Sequence, residues 1–228
     1  MTWLDFFGDG TIYEMDGGIA IRSVPTNCEV KKLADLLNST HAGTFKLAPQ
    51  GKRQPVVYSP QVLGVPFYPQ TDNYTMPDRT CNSSSCAMAA KFLGANISGD
   101  DEYLAKVLEY GDTVSHEAQT LALKFYGLES IWRTDLGFTD IDTQLAHGKP
   151  VPIAILHRGT EEAPTGGHVI CVIGRHEDGA YVCHDPYGDL KDGYLSAVEN
   201  GRSVVYSRKI FKSRWLPEGF RSGWGRIF

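Results

Sequence analysis

A run of small and apolar side chains ahead of Gly94 has the spacing of a helix. These side chains recur at Cys86, Ala89, Ala90 and Leu93. Intervals of three and four residues place them on one face, as in a helix packed against a core. Gly94 is a residue type that commonly ends such a helix. The pattern therefore predicts a buried helix that ends near Gly94.

The residues before this face place a cysteine at the start of the helix. Asn82 and the serines at 83–85 favour helix caps and first turns, which puts Cys81 at or just before the N-terminus. Unpaired backbone N–H groups and the positive end of the helix dipole favour a thiolate there. Cys81 is therefore a candidate nucleophile. Cys86, on the apolar face, is interpreted as a packing residue.

Two apolar runs farther along the chain predict neighbouring strands. Residues 166–174 consist of a glycine turn, His168 and an apolar run, and residues 180–188 form a short strand that ends at Asp185. A hairpin between them would bring His168 and Asp185 to the same end of a sheet. That arrangement suits a histidine oriented by a carboxylate. His184 should point to the opposite face and is interpreted as structural.

Other segments predict further elements of this domain. Helices are expected at 102–109, 117–125 and 139–147, and strands at 151–156 and 203–210. The polar residues 157–165 are expected to form a loop at one lip of the cleft. Residues 61–228 are therefore interpreted as one α+β domain.

Residues 1–60 have a different pattern, which predicts a small β-rich N-terminal appendage. Short strands are expected within 17–24, 44–47 and 55–58, and a helix capped by Asn27 is expected over 30–37. This appendage could cover one side of the catalytic domain or bind substrate.

Taken together, these motifs resemble a known family. The resemblance rests on Gln70, on Cys81 heading a helix that contains Ala87-Met88, on Gly167-His168-Val169, and on Asp185-Pro186-Tyr187-Gly188. The pattern resembles papain-like cysteine peptidases of the double-glycine leader peptidase type. It is more similar to the stand-alone branch found in bacteria and their phages, several of which are suspected of cutting cell-wall peptides.

The resemblance implies both a fold and roles for individual residues. The implied fold is papain-like, with a helical half carrying the nucleophile packed on an antiparallel sheet. The implied roles are nucleophile for Cys81, general base for His168, orienting acid for Asp185 and oxyanion-hole side chain for Gln70. The chain departs from the branch in having Asn82 where glycine is usual, and in placing the glutamine eleven residues ahead of the cysteine.

Composition excludes several classes of protein. Among the 228 residues no apolar run approaches the roughly 18 needed for a membrane span, and the first residues lack the basic start of a signal peptide. Synthesis in the cytoplasm is expected. The five cysteines are odd in number, so disulfides cannot pair them all. A net charge of −5 argues against a general nucleic-acid binder.

Charge is nevertheless unevenly spread along the chain. Residues 208–228 contain six lysines or arginines and one acid, a net charge of about +5. This tail is either a solvated basic face or a contact surface for an anionic polymer such as a cell wall.

The expected function is a cysteine peptidase that hydrolyses a peptide or amide bond through a thioester on Cys81, with cell-wall peptide as the specific substrate. No cofactor is expected. The alternatives are an amidase or acyltransferase with the same triad, and a peptide-binding domain without catalysis. The sequence also contains two sets of possible metal ligands, neither of them favoured: calcium ligands at Asp72, Asn73 and Asp78, and zinc ligands at Cys81, Cys86, Cys183 and His184.

Overall fold

The structure is a computed structural model that describes residues 12–15, 18–21, 61–176 and 178–228. The chain divides into two units, Met1–Val56 and Val57–Phe228. In the first unit, strands β1 (Ile12–Met15) and β2 (Gly18–Ile21) pair antiparallel, with Ile12 opposite Ile21. The strand expected within 17–24 coincides with β2. The other elements expected before residue 60 lie outside the described residues.

The second unit contains five helices and seven strands among its described residues. The helices are α1 (Cys81–Phe92), α2 (Asp100–Tyr110), α3 (His116–Phe125), α4 (Phe138–Ala146) and α5 (Arg208–Arg214). The strands are β3 (Gln61–Val62), β4 (Ile131–Leu136), β5 (Val151–Gly159), β6 (Pro164–Arg175), β7 (Tyr181–His184), β8 (Val204–Tyr206) and β9 (Gly223–Ile227). None of these helices is long and apolar enough to cross a membrane. The unit is α+β, as predicted.

The seven strands form one antiparallel sheet. Its order is β4-β9-β5-β6-β7-β8, and the short β3 also pairs with β6. The longest pairing joins β5 to β6, from Val151 opposite Val172 to Gly159 opposite Pro164. The last strand, β9, lies between β4 and β5, so the C-terminal segment is an interior strand of the sheet.

The two faces of the sheet pack against different helices. Along β6, Ile170 and Val172 join the core under α4 and α5, whereas Cys171 and Ile173 pack with Met88 of α1. This alternation is the two-residue period of a strand. On its other side α1 packs against α2 and α3. Because α1 is enclosed by the sheet and by two helices, every residue from Asn82 to Ala90 is buried.

Burial on all sides explains the three serines of α1. Ser83 exchanges a hydrogen bond with Thr113 (2.7 Å), Ser84 donates to Asp100 (2.5 Å), and Ser85 donates to the carbonyl of Val169 (2.9 Å). A buried hydroxyl requires a partner, and each serine finds one on a different segment. The serines therefore lie inside the helix as ties to its neighbours, and they do not cap it.

Two predicted boundaries were wrong. The loop expected at 157–165 is shorter, because β5 continues to Gly159 and β6 begins at Pro164. Gly166 lies within β6 at a φ of 71° and does not form the expected turn. A Cβ at this position would come within 3.2 Å of the His157 and Arg158 side chains, so glycine is needed for their close approach. The strand expected at 203–210 ends at Tyr206, after which Ser207 caps α5 by accepting the N–H of Ile210 (3.3 Å).

We predict that Gly201→Ala destabilises the protein. The carbonyl of Gly201 accepts the N–H of Asp185 (2.9 Å), and a Cβ at position 201 would lie 2.0 Å from the Asp185 carbonyl oxygen. The backbone must shift, at a cost of about 1–3 kcal/mol. Thermal unfolding followed by circular dichroism should show a lower Tm. The matched control is Gly64→Ala, where nothing lies within 4 Å of the added Cβ. Equal Tm values for the two variants would contradict the prediction.

Candidate active site

Cys81 is the first residue of α1 and is partly exposed. Of the four cysteines in the described residues, the other three, Cys86, Cys171 and Cys183, are buried. Thr80 precedes the helix, but its hydroxyl caps no backbone N–H and instead accepts from the Asn73 amide (2.9 Å). The Thr80 side chain therefore does not occupy the backbone N–H groups at the start of α1. The start of α1 is the position expected for Cys81.

His168 and Asp185 meet at one end of the β6–β7 hairpin. The His168 Nε2 atom lies 2.6 Å from Asp185 Oδ1, and both side chains are almost fully buried. The pairing of Cys171 with His184 sets this register, since Asp185 directly follows β7. Because Nε2 faces the carboxylate, Nδ1 is the ring nitrogen left for the thiol. The sequence-based expectation that these two side chains share an end of the sheet agrees with this placement.

His168 and Cys81 alter each other's protonation. Burial raises the pKa of the Cys81 thiol, but the hydrogen bond and the positive charge of His168 outweigh this and hold it below its ordinary value. Backbone N–H groups of Val169 and Asn82 act in the same direction. Burial lowers the pKa of His168, but the charge and hydrogen bond of Asp185, together with Cys81, raise it to about 10. The arrangement thus favours a thiolate–imidazolium pair near neutral pH.

Asp185 is held by three further donors that sequence reasoning missed. Its Oδ1 accepts the N–H of Tyr187 (3.0 Å), and its Oδ2 accepts the hydroxyls of Tyr206 (2.8 Å) and Tyr194 (3.4 Å). A buried carboxylate needs such partners. Tyr206 lies on β8, which pairs with β7 through Tyr181. No local pattern could have identified it, because the contact depends on strand pairing between distant segments.

Gln70 ties together the two chain segments that carry Cys81 and Asp185. Its backbone N–H donates to the carbonyl of Pro186 (2.9 Å), next to Asp185, and its Nε2 donates to the carbonyl of Pro77 (2.8 Å), just before α1. Because Pro77 offers only an acceptor here, it fixes the orientation of the amide. One amide N–H remains available, while Oε1 is buried without a partner. Gln70 is thus a buried side chain with a spare donor.

Neither metal site finds support in the side-chain placement. Within the described segments, no group of three or more His, Cys, Asp or Glu is placed to hold a metal ion. The Asn73 Nδ2 donates to the hydroxyls of Thr80 and Ser84, and Asp72 and Asp78 are exposed. His184 bonds the carbonyl of Val65 (2.9 Å) through Nε2 and accepts the N–H of Ser203 (3.0 Å) at Nδ1, a structural role as predicted.

Asn82, the departure from the family pattern, turns away from the thiol of Cys81. Its amide donates weakly to the carbonyl of Thr113 (3.4 Å), and its oxygen accepts from the Cys86 thiol (3.7 Å). The larger side chain therefore fills the contact between α1 and the segment before α3. Cys86 serves as its buried neighbour, as a packing residue would.

A helix that begins at a cysteine, packed on an antiparallel sheet that carries a histidine–aspartate pair, defines the papain-like class of fold. Within that class the chain belongs to the Peptidase_C39 like family, whose model matches residues 62–222. A crystal structure from Bacillus anthracis, assigned as a C39-like peptidase, is similar with a TM-score of 0.52 and 15% identity, covering 75% of this chain and 98% of that chain. At this identity the likeness concerns the fold. No curated protein matches the chain.

We predict that iodoacetamide reacts with Cys81 as a thiolate below the pH at which an ordinary thiol ionises. His168→Gln keeps an N–H for Asp185 but removes the positive charge. Because the charge and the hydrogen bond of His168 no longer offset the effect of burial on the thiol pKa, the midpoint of the rate–pH curve should move upward. In the unsubstituted protein the imidazolium, and with it the activating charge, should be lost near pH 10.

Cys28 lies outside the described residues, so both proteins carry Cys28→Ser. Identical curves would contradict the pairing.

Proposed function

We propose that the protein is a cysteine peptidase that hydrolyses a peptide or amide bond through a thioester on Cys81. The observation that carries this proposal is the buried His168–Asp185 pair, 2.6 Å apart, beside a thiol whose pKa it lowers. A structural histidine would not need to be both buried and charged. A cysteine nucleophile and a histidine base that is oriented by a third polar side chain perform acyl transfer in papain-like enzymes.

In the acylation step the Cys81 thiolate attacks the carbonyl carbon, and the electron pair of the C=O bond moves to oxygen. The Cys81 backbone N–H and the spare N–H of Gln70 are the proposed donors to this oxyanion. When the tetrahedral intermediate collapses, the C–N bond breaks and the His168 Nδ1 proton passes to the leaving nitrogen. The products of this step are a thioester and a free amine.

In the deacylation step neutral His168 takes a proton from water, whose oxygen attacks the thioester carbonyl. Collapse of the second intermediate breaks the C–S bond and regenerates the thiolate beside an imidazolium. Asp185 keeps its hydrogen bond to Nε2 throughout, which fixes the ring and stabilises its charge. The carbonyl half of the substrate leaves as a carboxylic acid.

The proposed substrate is a cell-wall peptide. Support comes from the family membership, which is that of peptidases, and from the sequence resemblance to the stand-alone bacterial and phage branch. We place synthesis in the cytoplasm and action at the wall. We also assign the peptidase domain to residues 61–228 and regard residues 1–60 as an appendage, a boundary supported by the start of the family match at residue 62.

The test combines substrate and nucleophile. We incubate purified bacterial cell wall, and separately a pool of internally quenched peptides, with the unsubstituted protein, Cys81→Ala and Cys86→Ala. The masses of the products are then measured by mass spectrometry. We expect cleavage by the unsubstituted protein and by Cys86→Ala, and none by Cys81→Ala. Equal loss in both variants would undo the choice of nucleophile. Fragments whose summed mass exceeds that of the substrate by one water indicate hydrolysis. A product in which the acyl fragment is bonded to the amine of another peptide indicates an acyltransferase.

Gln70→Ala tests the proposed oxyanion donor. Loss of one such donor typically lowers kcat by on the order of a hundredfold or more. Alkylation by iodoacetamide passes through no oxyanion, so its rate should stay unchanged and serves as the internal control. A parallel loss of alkylation rate would mean that Gln70 only shapes the loop before α1.

A further inference from the structure

His157 lies near the end of β5, against the imidazole of His168. The two ring centroids are 5.0 Å apart and the ring planes are inclined by 24°. The Tyr194 ring contacts His157 as well, with centroids 5.6 Å apart. Gly166 leaves room for the ring, because a Cβ there would lie 3.2 Å from His157 Cδ2. These neighbours fix the position of the imidazole next to the proposed general base.

The two nitrogens of His157 are in different surroundings. Nδ1 is enclosed and has no hydrogen-bond partner. Nε2 has no partner among the described residues either, but it is not enclosed, and the residue as a whole is half-buried. An unpaired buried N–H is among the rarest features of native proteins, so the favoured tautomer carries its proton on Nε2. His157 thus offers an accessible N–H donor beside His168.

This imidazole is uncharged under ordinary conditions. Burial, followed by the positive charges of His168 and Arg158, lowers the pKa of His157 to about 4. A second cation stacked on the His168 imidazolium would be unfavourable. His157 is therefore a neutral donor, which suits an uncharged acceptor such as a peptide carbonyl.

We propose that His157 is a substrate-binding residue that donates its Nε2 N–H to a backbone carbonyl in the leaving half of the peptide. This inference rests on the proposed peptidase function. His168 must hand its proton to the leaving nitrogen, so the leaving half of the substrate has to lie against the His168 ring. His157 stacks on that same ring, and its Nε2 has no hydrogen-bond partner among the described residues.

The test uses the peptide that the unsubstituted protein cleaves best in the pool, prepared in two forms. One form is the complete peptide. In the other, everything after the scissile bond is replaced by 7-amino-4-methylcoumarin, which has no peptide carbonyl at that place. The variants are His157→Phe, which keeps a ring but no donor, and His157→Gln, which keeps an N–H. His147→Phe, on an exposed histidine after α4, is the matched control.

We expect His157→Phe to lower kcat/KM for the complete peptide by about three- to tenfold, mainly through KM, as for one hydrogen bond. The coumarin substrate and the pH profile of Cys81 alkylation should be unaffected, and His157→Gln should recover part of the loss. An equal loss on both substrates, or a shifted alkylation profile, would overturn the inference and make His157 a support for His168. An unsubstituted protein that cleaves neither substrate would overturn the proposed function, and this inference with it.

Discussion

The buried ion pair between His168 and Asp185 is the constraint on which the rest of the domain depends. Two charged groups removed from water are tolerated only with close geometry and full hydrogen bonding, and removing one partner of such a pair costs about 3–5 kcal/mol. Here the Asp185 carboxylate accepts hydrogen bonds from the His168 ring, from one backbone N–H and from two tyrosine hydroxyls. Meeting that requirement fixes the register of β6, β7 and β8, since each strand or the turn after it supplies one of the groups.

The second constraint is the placement of α1 against that pair. A helix enclosed by a sheet and two helices must present small side chains, which is why alanine, serine and cysteine fill it. The hydrogen bond from Ser85 to the carbonyl of Val169 joins α1 to the residue after His168. The thiol at the helix start and the imidazole on the strand are therefore held by contacts one turn away from the chemistry. Such rigid support is what a preorganised site requires.

Local patterns predicted α1 and the β6–β7 hairpin, because helical spacing and a glycine-bounded apolar run are signals within a few residues. Local patterns did not predict β9, because its glycines are explained by contacts with residues distant in the sequence. A Cβ at Gly223, for example, would lie 2.5 Å from the Trp215 ring. The contacts of Tyr194 and Tyr206 were not predicted for the same reason. Each donates a hydrogen bond to Asp185 from a segment that lies close to it only in the folded chain. The candidate cysteine, histidine and aspartate could be identified from the sequence. The side chains that hold them could not, because those contacts depend on the tertiary structure. The catalytic and oxyanion roles assigned to the candidate residues stay predictions.

Charge counting along the sequence was least informative at the C-terminal end. Arg226 is fully buried and donates to the Thr120 and Ser130 hydroxyls and the His116 carbonyl. Other cations there are also engaged: Lys209 with Glu161, Arg221 with Asp135 and Asp140, and Arg214 with the carbonyls of Leu156, Arg158 and Gly159. Arg226 and Arg214 are thus ties within the domain, whereas Lys209 and Arg221 keep exposed side chains, so the number of cations available to an anionic polymer is smaller than the sequence count. The proposed selection of a substrate then rests on the half-buried rings beside His168, which are those of His157, Tyr187 and Tyr194.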